Sequence, residues 1–228
     1  DCGTSLGQFP VAGAVCQSTN TISQGAVVEL DERKRVYDHA GKEPKTMLLG
    51  IVSDTHGNVE NLRKVAEELV ENLDVDFIIH LGDECEDIKV LDEFEIEVVL
   101  VHGVYCQHYQ DPEITNRVLC QFDGYRFLLT HTDTKHKNDL PGDPDPQELA
   151  AAGEVDLVLY GHTHVPGIKQ ENGVIWLNPG HLKDEDKKGY GPSFAVIETD
   201  DEGILLQIIE LNSGKILEEL EIERDMKE

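Results

Sequence analysis

Aspartate and histidine residues follow directly after several apolar segments of this sequence, where such side chains can bind metal ions. Two pairs, Asp54-x-His56 and His162-x-His164, hold these residues two positions apart, and in an extended segment such side chains point to the same side. Mixed imidazole and carboxylate donors suit Mn, Fe, Zn or Ni better than Ca or Mg. The candidate metal ligands are Asp54, His56, Asp83, His131, His162 and His164.

The ordered set of these fragments is more informative than any one of them. A lone D-x-H is common in surface loops and a lone Gly-Asp has little meaning, whereas the complete series, each after an apolar segment, indicates a metal site. Two ions roughly 3.5–4 Å apart acidify a bridging water and bind a phosphoryl oxygen. A pair of such ions would be suited to the hydrolysis of phosphate esters by a metal-activated water, with no side chain as nucleophile.

Alternating strands and helices are expected to position these residues. Apolar strands are predicted at Met47–Val52, Phe77–Leu81 and Ile96–Val101, and residues 59–73 repeat apolar side chains at spacings of three and four, as on one helix face. This βαβαβ start predicts a parallel sheet with right-handed crossovers. Ligands of open α/β sheets bind beyond the carboxyl ends of the strands, where the candidate residues lie.

The second half of the chain carries signals of antiparallel strands. Asp123-Gly124 and Asn172-Gly173 are typical hairpin turns. A meander is expected from Phe194–Thr199, Ile204–Leu211 and Lys215–Ile222. We therefore predict an α/β fold in which two mixed β-sheets pack together and helices cover their outer faces.

Five segments resemble, in order, the motifs of the calcineurin-like metallophosphoesterase superfamily and, within it, the small prokaryotic phosphodiesterase family. They are Ile51-Val-Ser-Asp-Thr-His-Gly57, His80-Leu-Gly-Asp83, Leu128-Leu-Thr-His131, Tyr160-Gly-His-Thr-His164 and Leu177-Asn-Pro-Gly180. The chain also resembles the retromer subunit that shares this fold, including Pro192-Ser193-Phe194 before the final strands. The resemblance covers nearly all of residues 47–228 and implies a four-layer αββα sandwich.

The resemblance also implies roles for individual residues. It implies two divalent ions, with manganese preferred and nickel, iron or zinc as alternatives. The first ion would be held by Asp54, His56, Asp83 and His164. The second would share Asp83 and add His131 and His162. Substrate-binding residues near the ions would be Asn58, Asn178, Gly180 and His181, where His181 stands in place of a Ser that the family usually has.

One position departs from the family pattern. After the third strand the family has Gly-Asn, and that Asn binds the second ion, whereas this chain has Val104 there. Because Val has no donor atom, three outcomes stay open: Gln107 or His108 replaces the Asn, water fills the position, or the second ion binds weakly.

Several other residues with reactive side chains are expected to be structural. His80 is interpreted as a hydrogen-bonded core residue, and His136 as solvated between two lysines. His102, His108 and Cys106 are interpreted as loop residues. The five cysteines are odd in number and show no C-x-x-C zinc pattern, so reduced thiols in a cytoplasmic protein are expected.

Composition limits the classes of partner. The net charge of −27 disfavours general nucleic-acid binding, which relies on Lys and Arg to neutralise phosphates. No apolar run approaches the roughly 20 residues needed to span a bilayer, so a soluble protein without membrane partners is expected. A small phosphate ester is the expected substrate, and a homo-oligomer stays open.

Residues 1–46 differ from the rest and are interpreted as an N-terminal extension of unknown role, either a hairpin or a fragment, before a domain at 47–228. The extension lacks the charged and apolar regions of a signal peptide.

Two functions remain in competition. The first is a phosphoesterase acting on small phosphodiesters or activated phosphomonoesters, since the His that protonates leaving groups in Gly-Asn-His enzymes is missing. The second is a non-catalytic scaffold on the same fold, which Val104 favours and the otherwise complete Asp and His set opposes.

Overall fold

Residues 46–224, which the computed structural model of this chain describes, form two β-sheets with few helices. The interpretation of residues 1–46 as an extension therefore lies, apart from residue 46, outside the described residues. In chain order the elements are β1 (Met47–Val52), α1 (Val59–Glu67), β2 (Phe77–His80), β3 (Glu97–Leu100), β4 (Arg117–Phe122), β5 (Tyr125–Thr130), α2 (Pro146–Ala151), β6 (Leu157–Leu159), β7 (Gly167–Glu171), β8 (Val174–Asn178), β9 (Ser193–Thr199), β10 (Gly203–Glu210) and β11 (Ile216–Glu223).

Both sheets are mixed. The six-stranded sheet has the order β11-β10-β9-β1-β2-β3, in which β1, β2 and β3 are parallel and the β9–β11 meander is antiparallel. The five-stranded sheet has the order β4-β5-β6-β8-β7, with β5, β6 and β8 parallel and both edges antiparallel. The predicted parallel start and both predicted hairpins are therefore present.

Apolar side chains from the two sheets pack against each other in one continuous core. This core includes Leu49 and Ile79 from the first sheet and Phe127 and Leu159 from the second, each with none of its surface exposed. A second apolar cluster joins α1 to the outer face of the six-stranded sheet, and a third joins α2 to the outer face of the five-stranded sheet. The expected sandwich of two sheets between helices is confirmed.

The helices are less regular than the sequence predicts. The periodic segment 59–73 is α-helical only to Glu67 and continues as a π-helical turn at Glu68–Asn72. The helix expected between β2 and β3 is a 3₁₀ segment, Cys85–Glu93. Glu84 precedes it in the left-handed conformation and provides no side-chain cap. Neither α-helix within 46–224 has the length and apolar character needed to cross a bilayer.

A buried ion pair joins the loop after β5 to β4. Arg117 lies 3.0 Å from the Asp139 carboxylate, and both side chains are 1% exposed. Arg117 also donates to the Tyr109 hydroxyl, which itself donates to Asp139 at 2.6 Å. The network thus ties the segments that follow β3 and β5 to the sheet.

Replacing Asp139 by Asn should strongly destabilise the fold, because the Arg117 charge would remain buried without its counter-ion. Loss of one partner of a buried pair typically costs about 3–5 kcal/mol in the free energy of unfolding. Urea unfolding of Asp139→Asn measures this cost. The control is Glu93→Gln, which removes the partner of Arg63 in an exposed pair and should leave the midpoint unchanged. Equal midpoints for all three proteins would contradict the role of this network.

Candidate metal centre

Segments that follow β1, β2, β5 and β6 meet at one end of the two sheets and bring the six sequence-predicted ligands together. Their donor atoms form two groups, and within each group all atoms lie within 4.8 Å of one another. The first group is Asp54, His56, Asp83 and His164. The second group is Asp83, His131 and His162. Asp83 belongs to both.

The first group is a close cluster of nitrogen and oxygen atoms. His56 Nε2 lies 2.9 Å from His164 Nε2, 3.7 Å from Asp54 Oδ1 and 3.7 Å from Asp83 Oδ2. His164 Nε2 lies 3.2 Å from Asp54 Oδ1.

Asp54 is buried and anchored by one of its two oxygens. Oδ2 accepts hydrogen bonds from the Ser53 hydroxyl at 2.6 Å and from the His162 amide at 2.8 Å. Oδ1 accepts no well-aligned hydrogen bond from any residue in 46–224 and faces the histidines. A buried carboxylate oxygen without a donor is costly unless a cation or another partner neutralises it.

The second group lies on the other side of Asp83. His131 Nε2 is 3.3 Å from Asp83 Oδ1 and 3.2 Å from His162 Nδ1. The two carboxylate oxygens of Asp83 therefore face different groups, Oδ1 toward the second and Oδ2 toward the first. A carboxylate in this position is suited to bridge two cations.

Two of the histidines are oriented from behind. The Nδ1 atom of His131 lies 2.8 Å from the Leu81 carbonyl, and that of His164 lies 2.8 Å from the Asp186 carboxylate. Each Nδ1–H donates to its oxygen, so each Nε2 presents a lone pair to the cluster, as histidine ligands of metals generally do.

The pKa values reflect crowding of these groups. Burial alone would lower the pKa of His131, but its contact with Asp83 and the charge of Asp54 raise it above its usual value. Contact with Asp54 raises the pKa of His164, and Asp186 adds to that rise. Burial and the neighbouring His131 lower the pKa of His162. Protons therefore compete for the positions that a cation would otherwise fill.

The calcineurin-like phosphoesterase superfamily domain matches residues 47–202 of this chain. The chain belongs to this superfamily. It is 31% identical over 197 residues to the phosphodiesterase YfcE of Escherichia coli, and the aligned region covers 77% of this chain and 98% of that protein. It is also 29% identical over 149 residues to the phosphodiesterase MJ0936 of Methanocaldococcus jannaschii, and the aligned region covers 59% of this chain and 83% of that protein.

Solved structures share the same fold. Vacuolar Protein Sorting 29 from Cryptosporidium parvum superposes with a TM-score of 0.57 at 21% identity, over 78% of this chain and 99% of that one. Identity at this level shows the fold alone. The E. coli YfcE structure superposes with a TM-score of 0.56 over 76% of this chain.

Backbone conformation at the superfamily motifs differs from the extended geometry that the sequence argument used. Asp54, His56, Asp83, His162 and His164 all adopt the left-handed region, with φ between 46° and 64°. The i, i+2 pairs converge because of tight left-handed turns after the strands, not because of strand alternation. Such conformations are unfavourable for non-glycine residues and cluster at functional sites.

The residues expected near the substrate are mostly tied to the protein itself. The Asn178 amide donates to the Gly161 carbonyl and the Thr163 hydroxyl, and its carbonyl accepts from the Gly180 amide. Asn58 caps α1 by accepting from the Asn61 amide at 3.1 Å. His181 is fully buried, with its ring 5.4 Å from that of His164. These contacts shape the floor under the first group, and a role in substrate binding stays a prediction.

Val104 contributes no donor to either group. It is 2% exposed, and its carbonyl accepts a hydrogen bond from the Asn138 amide at 2.9 Å. Gln107 and His108 are exposed and contact each other at 3.2 Å. His108 is absent from both groups as they occur in 46–224. All three outcomes, a replacement by Gln107 or His108, water at this position or a weakly held second ion, therefore stay predictions.

Sequence reasoning missed four residues around the centre. Asp186 orients His164, and Asp87 holds the loop after β1 by accepting from the Thr55 hydroxyl and the Gly57 amide. Their spacing from the motifs gave no signal. His136, expected to be solvated, is half-buried with its ring 5.8 Å from that of His162. The ring of Tyr105, a residue that is 66% exposed, lies 5.8 Å from that of His136 and 6.3 Å from that of His162.

Gly161→Ala should disrupt the first group. A Cβ at this position would stand 1.9 Å from Ser53 Oγ and 2.6 Å from Asp54 Oδ2, so the anchored carboxylate would have to move. We expect Mn²⁺ affinity, measured by calorimetric titration of metal-stripped protein, to fall roughly 10–100-fold, the range seen when ligand support is lost. Gly142→Ala is the control, because its Cβ would meet nothing within 4 Å. Equal affinities in two folded variants would show that Asp54 is not positioned in this way.

Proposed function

We propose that this chain is a metal-dependent phosphoesterase that hydrolyses small phosphodiesters or activated phosphomonoesters. The observation that carries the proposal is the shared Asp83, whose two oxygens face two groups of Asp and His donors. The membership of the chain in the calcineurin-like phosphoesterase superfamily supports the same reaction class.

The donor atoms fit divalent cations. Ligands about 2.0–2.2 Å from an ion are separated from each other by roughly 3.0–3.5 Å. The separations between donor atoms, 2.9–3.7 Å, lie close to this range. The unpartnered Oδ1 of Asp54 fits the same conclusion. Imidazole with carboxylate is a donor set for manganese, iron, nickel or zinc, and we propose manganese first.

The ligands would divide into two sites. Asp54, His56, Asp83 and His164 would hold one ion, and Asp83, His131 and His162 the other. Bound together, two divalent ions lower the pKa of a water and stabilise charge on phosphoryl oxygens. The protein would hold this arrangement through Asp186 and the Leu81 carbonyl, which fix the two histidine rings.

The cleft beside the centre suits a small substrate of low charge. It has a volume of about 420 Å³, and His56 and Asp83 lie in its wall with Glu84 and Glu86. None of its lining residues, all from the described part of the chain, is Lys or Arg. A diester with one negative charge is favoured over a polyanion, because bound cations would be the main source of positive charge. General nucleic-acid binding is excluded from the proposal on the same ground.

We also propose that the protein acts in the cytoplasm without a membrane partner. Whether the chain forms a homo-oligomer stays open.

A scaffold without catalysis is the second candidate, because Val104 stands where the superfamily pattern has a ligand. A protein of this kind would act through contacts with other proteins and would have no turnover with ions bound.

Asp83→Asn should abolish hydrolysis of bis(p-nitrophenyl) phosphate and remove most bound metal, since this carboxylate would serve both ions. Activity of the manganese-loaded wild-type protein should disappear in EDTA and return when manganese is restored. Asp201→Asn, the same change at an exposed site, should keep wild-type activity and metal content. Elemental analysis and release of nitrophenolate provide the measurements.

The two candidate functions give different results in this experiment. Wild-type protein with full metal content and no turnover above the EDTA control would favour the scaffold. Asp83→Asn with unchanged metal content would show that the metal-site assignment itself is wrong.

Val104→Asn should strengthen the second metal site. With Asp83, His131 and His162 alone that ion has three protein ligands, as open zinc sites do, and should bind more weakly than the first. Calorimetry should resolve two unequal affinities in the wild type and a smaller gap in Val104→Asn. Gln107→Ala and His108→Ala serve as controls, and a weakened second site in either would show that the loop already supplies the missing donor.

A further inference from the structure

Two cysteines and a histidine form a third group of possible ligands, next to the candidate centre and separate from it. The thiols of Cys85 and Cys106 and a ring nitrogen of His102 lie within 4.8 Å of one another. Cys85 comes from the start of the 3₁₀ segment after β2, and the other two come from the loop after β3. Because β2 and β3 are adjacent and parallel, their carboxyl ends bring these segments together.

The backbone holds this group in place. The Cys106 amide donates to the Gly103 carbonyl at 2.8 Å, which closes a tight turn and brings Cys106 back toward β2. The Cys85 sulfur lies close to both the Cys106 sulfur and the Gly103 backbone. The three side chains are thus positioned by two segments that the fold requires to be adjacent.

The His102 ring is a second indication that an ion binds at this position. Its Nδ1 atom is inaccessible to solvent and has no hydrogen-bond partner among residues 46–224. A buried polar nitrogen without a partner is rare and requires an explanation such as a missing ion.

A route for an ion is also present. Cys85 and Cys106 both lie in the wall of the open cleft described above. An ion from solvent can therefore reach the two sulfurs.

We propose that Cys85, His102 and Cys106 bind one soft divalent cation, of which zinc is the best match. Two sulfurs and one imidazole nitrogen are a zinc donor set, and the fourth position would be open to water. On binding, M²⁺ replaces the two thiol protons, which pass to solvent, and His102 coordinates as neutral imidazole. No electron transfer is involved.

Such an ion would serve a structural purpose. It would cross-link the loop after β3 to the 3₁₀ segment, and both of these segments lie next to Asp83. Gly103 already lies so close to Asp83 that a Cβ would be 1.9 Å from Asp83 Oδ1. The site would therefore hold the loop that carries Val104 against the bridging carboxylate.

Cobalt substitution distinguishes this site from the Asp and His groups, because only cysteine ligands give sulfur-to-cobalt charge-transfer absorption in the near ultraviolet. The full chain is used with Cys2→Ser and Cys16→Ser as background, which removes the thiols outside the described residues. After metal removal in a phosphine reductant, Co²⁺ titration should produce this absorption with a stoichiometry of one per chain. Zinc should abolish it by displacement.

Variants locate the ligands. Cys85→Ser and Cys106→Ser should each lose the absorption, and His102→Gln should weaken cobalt binding roughly 10–100-fold. Cys120→Ser, which changes a cysteine in β4 outside the group, should keep it, as should His162→Ala, which alters the second Asp and His group. Absence of the absorption in the background protein, or its persistence in Cys106→Ser, would overturn the proposal.

A second measurement needs no change at the ligands. Zinc should slow alkylation of Cys85 and Cys106 in the background protein, as followed by peptide mass spectrometry, and leave Cys120 unaffected. Unchanged alkylation with zinc, or recovery of the pair only as a disulfide under the same reducing conditions, would also overturn it. Both results are independent of phosphoesterase activity, so failure here leaves the proposed function intact.

Discussion

The Asp83 carboxylate lies between histidines delivered by both sheets, and the candidate centre depends on this position. His56 follows β1 in the six-stranded sheet and is 3.7 Å from one oxygen, whereas His131 follows β5 in the five-stranded sheet and is 3.3 Å from the other. The sheets must therefore pack in one relative position for both contacts to exist. The core between them, rich in fully buried Leu, Ile and Phe, supplies that constraint.

Electrostatics explains why this position favours a cation. Asp54 and Asp83 are both buried, and the imidazoles of His56, His131 and His164 lie 3.2–3.7 Å from their oxygens. Without an ion, protons must be shared among these groups, and raised pKa values at His131 and His164 are the result. Bound cations would replace those protons and satisfy the unpartnered oxygen of Asp54.

Much of this arrangement could be predicted from the sequence because strands, hairpins and ligands have local signals. Apolar runs ending in Asp or His indicated both the strands and the residues at their ends. Residues with no local signal were missed: Asp186 acts on His164 from 22 positions away, and Asp87 acts on the loop after β1 from the 3₁₀ segment. The left-handed turns were also missed, because they lie at Asp and His, which adopt this conformation much less readily than Gly does. Cys85 and Cys106, with 20 residues between them, match no zinc spacing, and only the pairing of β2 with β3 brings them together.

The most direct test of this account is a crystal structure of the manganese-loaded protein with anomalous diffraction data. Two anomalous peaks roughly 3.5–4 Å apart are expected, on either side of the Asp83 carboxylate. The first should lie among Asp54, His56 and His164, and the second, of lower occupancy, between His131 and His162. Peaks found only at surface carboxylates, with both groups free of manganese at saturating concentration, would contradict the account.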